Sequence, residues 1–213
     1  MTELVRRSNL IMPVNQRRFV EKAYQRGADA ITLDLEDSVP VAEKERARGL
    51  IKEAIPLVAR GGADVLVRIN KPMAAEDLDA AIHPGLQGIA YPKAETAEEI
   101  AEIDQIIGKL EAERGIPPGT VQLAVSVETA LGILNAWEIA RASSRIVSLQ
   151  VGPEDLAYDL GIEATVEGKE LLHAKSHIIL VARAAGIVPL GLMGTLADFR
   201  DLEGLERSAR EAY

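Results

Sequence analysis

Short apolar runs rich in β-branched residues alternate along this chain with longer amphipathic stretches, and this alternation restricts the fold more than any other feature. Several of the runs lack the period-two alternation of a half-buried strand, which is typical of strands buried on both faces. The pattern predicts a parallel sheet whose strands alternate with helices. The seven predicted strands are 9–14, 30–35, 64–70, 88–92, 121–127, 146–151 and 186–190.

The stretches between the runs carry apolar residues at three-and-four spacing, which predicts helices with one buried face. Thr96 followed by Glu99 has the pattern of a capping box at the start of one of them. No linker, repeat or shift of composition divides the 213 residues, so we expect a single domain over 1–213. The predicted helices include 41–59, 96–114, 130–142 and 171–185, with a further helical stretch at 196–213.

Composition excludes several classes of function. The 24 Lys and Arg residues against 33 Asp and Glu give a net charge of −9, so the chain lacks the basic surface of a nucleic-acid-binding protein. The absence of cysteine excludes disulfides, thiolate metal sites and a cysteine nucleophile. No run approaches the ~18 consecutive apolar residues of a membrane-spanning helix. We therefore expect a cytoplasmic protein that binds neither nucleic acid nor membranes.

Two parallel architectures accommodate seven or eight strand–helix units: the closed (β/α)₈ barrel and the open doubly wound sheet. A dinucleotide-binding open sheet carries Gly-x-Gly-x-x-Gly after its first strand, whereas this chain has Pro13-Val14-Asn15-Gln16 there. The sequence therefore favours an α/β fold of the TIM-type (β/α)₈ barrel class. Because only the helical stretch 196–213 follows Leu190, the eighth strand is expected to be missing from this chain.

Polar residues follow five of the predicted strands, at the ends where a barrel places its catalytic groups. Each by itself has an ordinary structural explanation as a helix cap or an ion pair. Several carboxylates at one barrel mouth repel each other unless a cation lies among them, and oxygen ligands without cysteine or paired histidine select Mg²⁺ or Mn²⁺. Arg68 and Lys93 would then face an anionic substrate. The five segments are Asp34-Leu35-Glu36-Asp37, Arg68-Ile69-Asn70, Pro92-Lys93, Glu128-Thr129 and Gly152-Pro153-Glu154-Asp155.

Taken in order, these segments carry a resemblance to a known family over nearly the whole chain. They resemble the citrate lyase β-subunit-like group of the HpcH/HpaI aldolases, which includes malyl-CoA and citramalyl-CoA lyases. The matching motifs are Leu-Asp-Leu-Glu-Asp-Ser-Val-Pro at 33–40 with Lys44 and Arg48, Val-Arg-Ile-Asn at 67–70, Tyr-Pro-Lys at 91–93, Val-Glu-Thr at 127–129 and Gly-Pro-Glu-Asp-Leu-Ala at 152–157.

The resemblance implies a TIM-type barrel that binds Mg²⁺, or Mn²⁺, through Glu128 and Asp155, with Arg68 close to the reacting carbonyl. Family members cleave or form a carbon–carbon bond between an acyl thioester and a 2-oxo acid through an enolate, whose oxygen a fixed guanidinium stabilises. The resemblance also implies residues that bind the substrate or lie around the metal's waters. The substrate-binding set is Arg68, Glu128, Gly152, Pro153 and Glu154, and the surrounding set is Glu36, Asp37 and Lys93.

The expected function is a Mg²⁺-dependent lyase acting on a 3-hydroxyacyl thioester such as malyl-, citramalyl- or citryl-CoA or its acyl-carrier-protein equivalent. A class II aldolase acting on a free hydroxy-oxo acid and a non-catalytic barrel subunit remain alternatives. The chain departs from the family at Val14-Asn15, at Lys175 and at its end, where an eighth strand and a C-terminal extension usually follow. By the resemblance we expect a homo-oligomer, a trimer or hexamer, and we expect the 213-residue chain alone to self-associate and to be a poor catalyst.

Overall fold

The computed structural model describes residues 6–163, 165, 168–192 and 201–212. Its strands coincide with the seven predicted runs to within two residues at either end, so the strand prediction is confirmed. The strands are β1 (Asn9–Pro13), β2 (Ala30–Asp34), β3 (Asp64–Arg68), β4 (Gly88–Tyr91), β5 (Gln122–Val127), β6 (Ile146–Val151) and β7 (Val188–Leu190).

The described residues also form nine α-helices. Three of them, α1, α3 and α7, were not among the predicted helices, because seven or eight residues are too few to show a helical period. The predicted helix 130–142 is interrupted at Asn135. The helices are α1 (Arg17–Ala23), α2 (Lys44–Val58), α3 (Ala74–Ala81), α4 (Ala97–Glu113), α5 (Ala130–Leu134), α6 (Ala136–Ala140), α7 (Pro153–Asp159), α8 (Leu172–Ala185) and α9 (Leu202–Ala212).

The start of α4 confirms the predicted capping box. The hydroxyl of Thr96 accepts a hydrogen bond from the backbone N–H of Glu99 at 3.3 Å. The carboxylate of Glu99 in turn accepts from the backbone N–H of Thr96 at 3.3 Å and of Glu95 at 2.5 Å. The backbone N–H groups at a helix start have no carbonyl partner within the helix, and three of them are hydrogen-bonded here by side chains.

The chain divides into two compact units, and the first contains Met1–Pro92 and Glu102–Ala124. Its strands β1, β2, β3 and β4 lie side by side in chain order and are parallel. All five residues of β2 are buried, as expected of a strand covered on both faces. The register sets Asp34 opposite both Pro13 and Arg68, so the carboxyl ends of three strands meet at one level.

The second unit contains Lys93–Ala101 and Val125–Tyr213. Strands β6 and β7 are parallel, with Ser148 opposite Val188. Helix α8 packs on both strands and on α5 and α6. The backbone N–H of Gly152 donates to the carbonyl of Val127 at 3.1 Å, which aligns the residues that follow β6 with the end of β5.

Every strand pair described within the two units is parallel, and helices separate successive strands, which confirms the predicted α/β class. The prediction that the whole chain is one domain stays a prediction. The expected absence of an eighth strand concerns residues 193–200, which lie outside the described residues. Within the described part of the chain, no helix is long and apolar enough to cross a membrane.

We predict that two glycine-to-alanine changes have opposite effects on stability. A Cβ atom on Gly61 would lie 2.5 Å from the backbone oxygen of Tyr24, which cannot rotate away, so Gly61→Ala should lower the free energy of unfolding by about 1–3 kcal/mol. Gly49 lies within α2 with nothing within 4 Å of the same point. Gly49→Ala should raise the free energy of unfolding by about 0.5–1 kcal/mol. Urea unfolding at 25 °C measures both, and similar shifts for the two variants would contradict the packing argument.

Candidate active site

In the first unit, Arg68 forms an ion pair with a fully buried carboxylate. Its Nε donates to Oδ1 of Asp34 at 2.7 Å, and its Nη2 donates to Oδ2 at 2.8 Å. The side chain of Asp34 is 0% exposed and that of Arg68 is 24% exposed. Because two parallel hydrogen bonds fix the guanidinium plane, Arg68 is held in one orientation while part of it remains accessible.

Further donors surround the Asp34 carboxylate. It accepts from the backbone N–H groups of Glu36 at 2.9 Å and Ser38 at 3.1 Å, and from the Ser38 hydroxyl. Burial by itself raises the pKa of Asp34, but the hydrogen bonds and charge of Arg68 outweigh it, so the pKa lies below its usual value. Burial likewise lowers the pKa of Arg68, and Asp34 raises it to a net value above the ordinary one. Both groups are therefore charged at neutral pH.

Two more carboxylates lie beside the same guanidinium. The Nη1 atom of Arg68 is 3.0 Å from Oε2 of Glu36 and 3.3 Å from Oδ2 of Asp37. The structure thus brings together three of the residues named from the sequence, and it places Glu36 and Asp37 against Arg68. Their role around a metal's waters stays a prediction.

The segment that carries Glu36 is fixed by Lys44, at the start of α2. The Lys44 ammonium donates to the carbonyls of Leu35 and Glu36, both at 2.9 Å, and to Oδ1 of Asn70 at 2.5 Å. The amide nitrogen of Asn70 donates to the same Leu35 carbonyl at 2.8 Å. The residues that follow β2 and β3 are therefore tied together next to the Arg68 pair.

Asp77, on α3, holds Asn70 in place and was not predicted as a site residue. It is fully buried and accepts from the backbone and side-chain N–H groups of Asn70, at 2.7 and 2.8 Å. Arg48 donates to its other oxygen at 2.6 Å. No pattern in the sequence pointed to Asp77, because α3 is too short to show a helical period.

In the second unit, Lys93 contacts both residues implied as metal ligands. Its backbone N–H donates to Oε1 of Glu128 at 3.4 Å, and its Nζ lies 3.4 Å from Oδ2 of Asp155. Glu128 is buried, whereas the Asp155 side chain is 42% exposed. The structure thus brings Glu128, Asp155 and Lys93 together.

Gly152 makes room for the Glu128 side chain. A Cβ atom at this position would lie 2.7 Å from both Cγ and Cδ of Glu128. Pro153 is the first residue of α7, and Glu154 and Asp155 lie in its first turn. The side chain of Glu154 is exposed, so of the residues predicted to bind substrate it is the most open to solvent.

The backbone after Glu128 is fixed from two directions. Thr129 caps α5 by accepting from the N–H of Gly132 at 3.1 Å, and its hydroxyl donates to Glu95 at 3.0 Å. Asp159 accepts from the N–H of Ala130 at 2.7 Å. These contacts hold the turn that carries Glu128 independently of any ligand.

The donor set in the second unit fits a hard divalent cation. Mg²⁺ commonly takes one or two protein carboxylates and leaves its other positions to water and substrate, which Glu128 and Asp155 satisfy in number and chemistry. No group of three or more acidic or histidine side chains among the described residues could hold a metal. His173 and His177 stack on α8 with ring centroids 6.3 Å apart, and no acidic side chain in the described part of the chain completes a metal site with them.

Lys175, the departure noted on α8, is buried next to a cavity of about 320 Å³ in the second unit. Burial lowers the pKa of Lys175 more than the nearby charges of Glu154 and Glu170 raise it. Lys175 therefore lies in a partly desolvated setting.

Comparison with known proteins gives matches over almost the whole chain. A sequence model of the family described as HpcH/HpaI aldolase/citrate lyase matches residues 7–212. The citrate lyase subunit beta of Leuconostoc mesenteroides subsp. cremoris is 38% identical over 211 residues, covering 98% of this chain and 69% of that protein. The L-malyl-CoA/beta-methylmalyl-CoA lyase of Rhodobacter capsulatus is 32% identical over 226 residues, covering 95% and 70%. The chain spans about two thirds of the length of these relatives.

Solved structures agree with the sequence relatives. A citrate lyase beta subunit from M. tuberculosis, complexed with oxaloacetate and magnesium, aligns with a TM-score of 0.72 and 29% identity, over 96% of this chain and 85% of that one. Protein CitE from Mycobacterium tuberculosis, in complex with magnesium, acetoacetate and coenzyme A, aligns with a TM-score of 0.73 and 28% identity, over 98% and 73%. These likenesses confirm the predicted TIM-type α/β fold.

We predict that Asp34→Asn lowers the free energy of unfolding at pH 7 by about 2–3 kcal/mol, less than a fully buried pair would cost because Arg68 is partly exposed. The folded-state pKa of Asp34 is depressed, so its stabilisation is present above the unfolded carboxyl pKa of about 3.9 and is lost as the pH falls through the folded value. The difference between the parent and Asp34→Asn should therefore shrink below about pH 4.

The matched control is Asp37→Asn, which changes an exposed carboxylate beside the same guanidinium and should cost about 0–1 kcal/mol. Urea unfolding between pH 3 and pH 8 measures both variants. A difference between the parent and Asp34→Asn that does not depend on pH would contradict the assignment of a charged, buried Asp34.

Proposed function

Because this chain belongs to the HpcH/HpaI aldolase/citrate lyase family, a family of carbon–carbon lyases, we propose that it is a Mg²⁺-dependent lyase of 3-hydroxyacyl thioesters. The substrate is a thioester such as malyl-, citramalyl- or citryl-CoA, or the corresponding acyl-carrier-protein thioester. The products are an acyl thioester and a 2-oxo acid. The observation that carries the proposal is the oriented, partly exposed guanidinium of Arg68.

Arg68 is the proposed catalytic residue. Cleavage of the carbon–carbon bond leaves negative charge on the oxygen of an enolate, and a guanidinium already held in place stabilises that charge without reorganising. The two hydrogen bonds from Arg68 to buried Asp34 supply this orientation before any substrate binds. A lysine could not replace it, because a single ammonium cannot make the paired contact with a carboxylate.

Glu128 and Asp155 are the proposed ligands of Mg²⁺. When bound, the ion would act as a Lewis acid toward the substrate hydroxyl that becomes the keto group. Gly152 keeps the space that the Glu128 side chain occupies, and the backbone of Gly152, Pro153 and Glu154 is proposed to contact the carboxylate of the 2-oxo acid. Magnesium together with oxaloacetate in a family structure supports the proposal that the site takes Mg²⁺ and a 2-oxo acid.

Coenzyme A in another family structure favours a thioester over a free hydroxy-oxo acid as the substrate. By the family resemblance, the proposal also includes a homo-oligomer, a trimer or hexamer, and from the composition it includes a cytoplasmic location. An assay that compares CoA thioesters with the corresponding free acids tests the substrate class. Turnover of the free acid alone would assign a class II aldolase instead.

We predict that Glu128→Gln and Asp155→Asn each weaken Mg²⁺ binding at least about tenfold, because each removes a charged oxygen ligand. Isothermal titration calorimetry measures the affinity directly and needs no substrate. Glu98→Gln, which alters an exposed residue at the start of α4, is the control and should bind Mg²⁺ like the parent. Unchanged affinity in both Glu128→Gln and Asp155→Asn would exclude them as ligands.

We predict that Arg68→Lys lowers kcat by about 10²-fold or more, the scale of losing one oriented oxyanion donor. Release of the 2-oxo acid from malyl-, citramalyl- and citryl-CoA measures the rate, with circular dichroism to check folding. Arg17→Lys, at an exposed position of α1, is the control. A change confined to KM would show that Arg68 binds the substrate without acting in the transition state.

A further inference from the structure

Lys93 has an unusual backbone conformation. Among the described residues, it is the one residue other than glycine with a positive φ, at 53°. Side chains with a Cβ atom rarely adopt this left-handed conformation, and it persists only where the surrounding structure holds it. The neighbouring backbone is fixed, because the N–H of Ala94 donates to the carbonyl of Ser126 at 2.9 Å and Gly132 packs directly against the carbonyl of Ala94.

The left-handed conformation directs two groups of one residue at two carboxylates. The backbone N–H of Lys93 points to Glu128, and its ammonium lies 3.4 Å from Asp155. The first contact is independent of the identity of the side chain. The second places a positive charge beside an oxygen that we have assigned to the metal.

An ammonium ion and Mg²⁺ attract the same carboxylate, and each repels the other. With Lys93, the cluster of Glu128, Asp155 and Lys93 carries a formal charge of −1; without the ammonium it would carry −2. The repulsion between the two cations acts in a partly exposed setting, where it is screened but not abolished. The ammonium therefore opposes the entry of a free dication.

We propose that Lys93 is an internal competitor of Mg²⁺ for Asp155. It pairs with the carboxylate when the metal is absent, gives it up when the metal binds, and thereby lowers the affinity of the site for the free ion. Lys93 is thus a positioning residue that acts through Asp155. This inference rests on the proposed function in one respect, that Glu128 and Asp155 are the ligands.

The test is calorimetric titration of the full 213-residue chain with Mg²⁺ at low ionic strength. Lys93→Met introduces an unbranched side chain one heavy atom shorter and removes the charge, so the dissociation constant should fall about fivefold or more. Lys93→Gly, which adopts a positive φ without strain, should shift it in the same direction. Lys93→Arg keeps the charge and should stay close to the parent. Lys109→Met removes an exposed lysine elsewhere and is the control.

A second titration at high salt separates charge from shape. If Lys93 acts by its charge, the difference in Mg²⁺ affinity between the parent and Lys93→Met becomes smaller as the ionic strength rises. A merely structural lysine would give variants that bind Mg²⁺ more weakly at every salt concentration. Lys93→Gly keeps this readout available if Lys93→Met does not fold.

The outcomes separate this inference from the proposed function. If Lys93→Met and Lys93→Gly bind Mg²⁺ as tightly as the parent or more weakly, the proposal that Lys93 competes with Mg²⁺ is wrong, whichever residues are the ligands. Unchanged binding by Glu128→Gln and Asp155→Asn overturns the ligand assignment instead. If the parent chain shows no Mg²⁺ binding, measurable Mg²⁺ binding by Lys93→Met supports the proposal that Lys93 competes with the metal. If neither the parent nor Lys93→Met binds Mg²⁺, the proposal is wrong.

Discussion

The buried pair of Asp34 and Arg68 is the interaction on which the polar cluster of the first unit depends. Parallel pairing of β2 and β3 sets the two residues opposite each other, so the ion pair is a consequence of sheet register. The Asp34 carboxylate is desolvated, and its burial would be costly in free energy without the opposite charge of Arg68. Once the pair forms, the backbone after β2 turns around the carboxylate, and Lys44 and Asn70 fasten that turn to the next strand end. Orientation of the guanidinium thus follows from packing that precedes any ligand.

The strands could be predicted because strands buried on both faces appear in the sequence as short apolar runs, such as Val-Leu-Val at 65–67 within β3. The cap at Thr96 could be predicted because its chemistry is local, requiring only two residues three positions apart. Helices of seven or eight residues could not, since they complete only about two turns and show no period. Asp77 was missed because its role depends on contacts with Asn70, seven residues away, and with Arg48, 29 residues away, that form only after folding.

For the candidate site, the sequence indicated which positions to consider, but not their contacts. Polar residues after predicted strands pointed to Arg68, Glu128 and Asp155, because a barrel places its catalytic groups at those strand ends. Their roles stay predictions. The structure places Glu36 against Arg68, a contact set by side-chain direction that the sequence does not encode locally. The role of Glu36 near a metal's waters, implied by the resemblance, stays a prediction. The left-handed backbone of Lys93 had no signal either, since lysine ordinarily avoids that conformation.

The close approach of Glu128 to the α-carbon of Gly152 has a consequence for anyone who would diversify this protein. Every amino acid except glycine brings a Cβ atom, so each substitution at position 152 must displace the Glu128 carboxylate before its own side chain matters. A library that varies position 152 therefore also varies where the Glu128 carboxylate lies, whereas a change at exposed Glu154, two residues later, does not bring a Cβ atom against it.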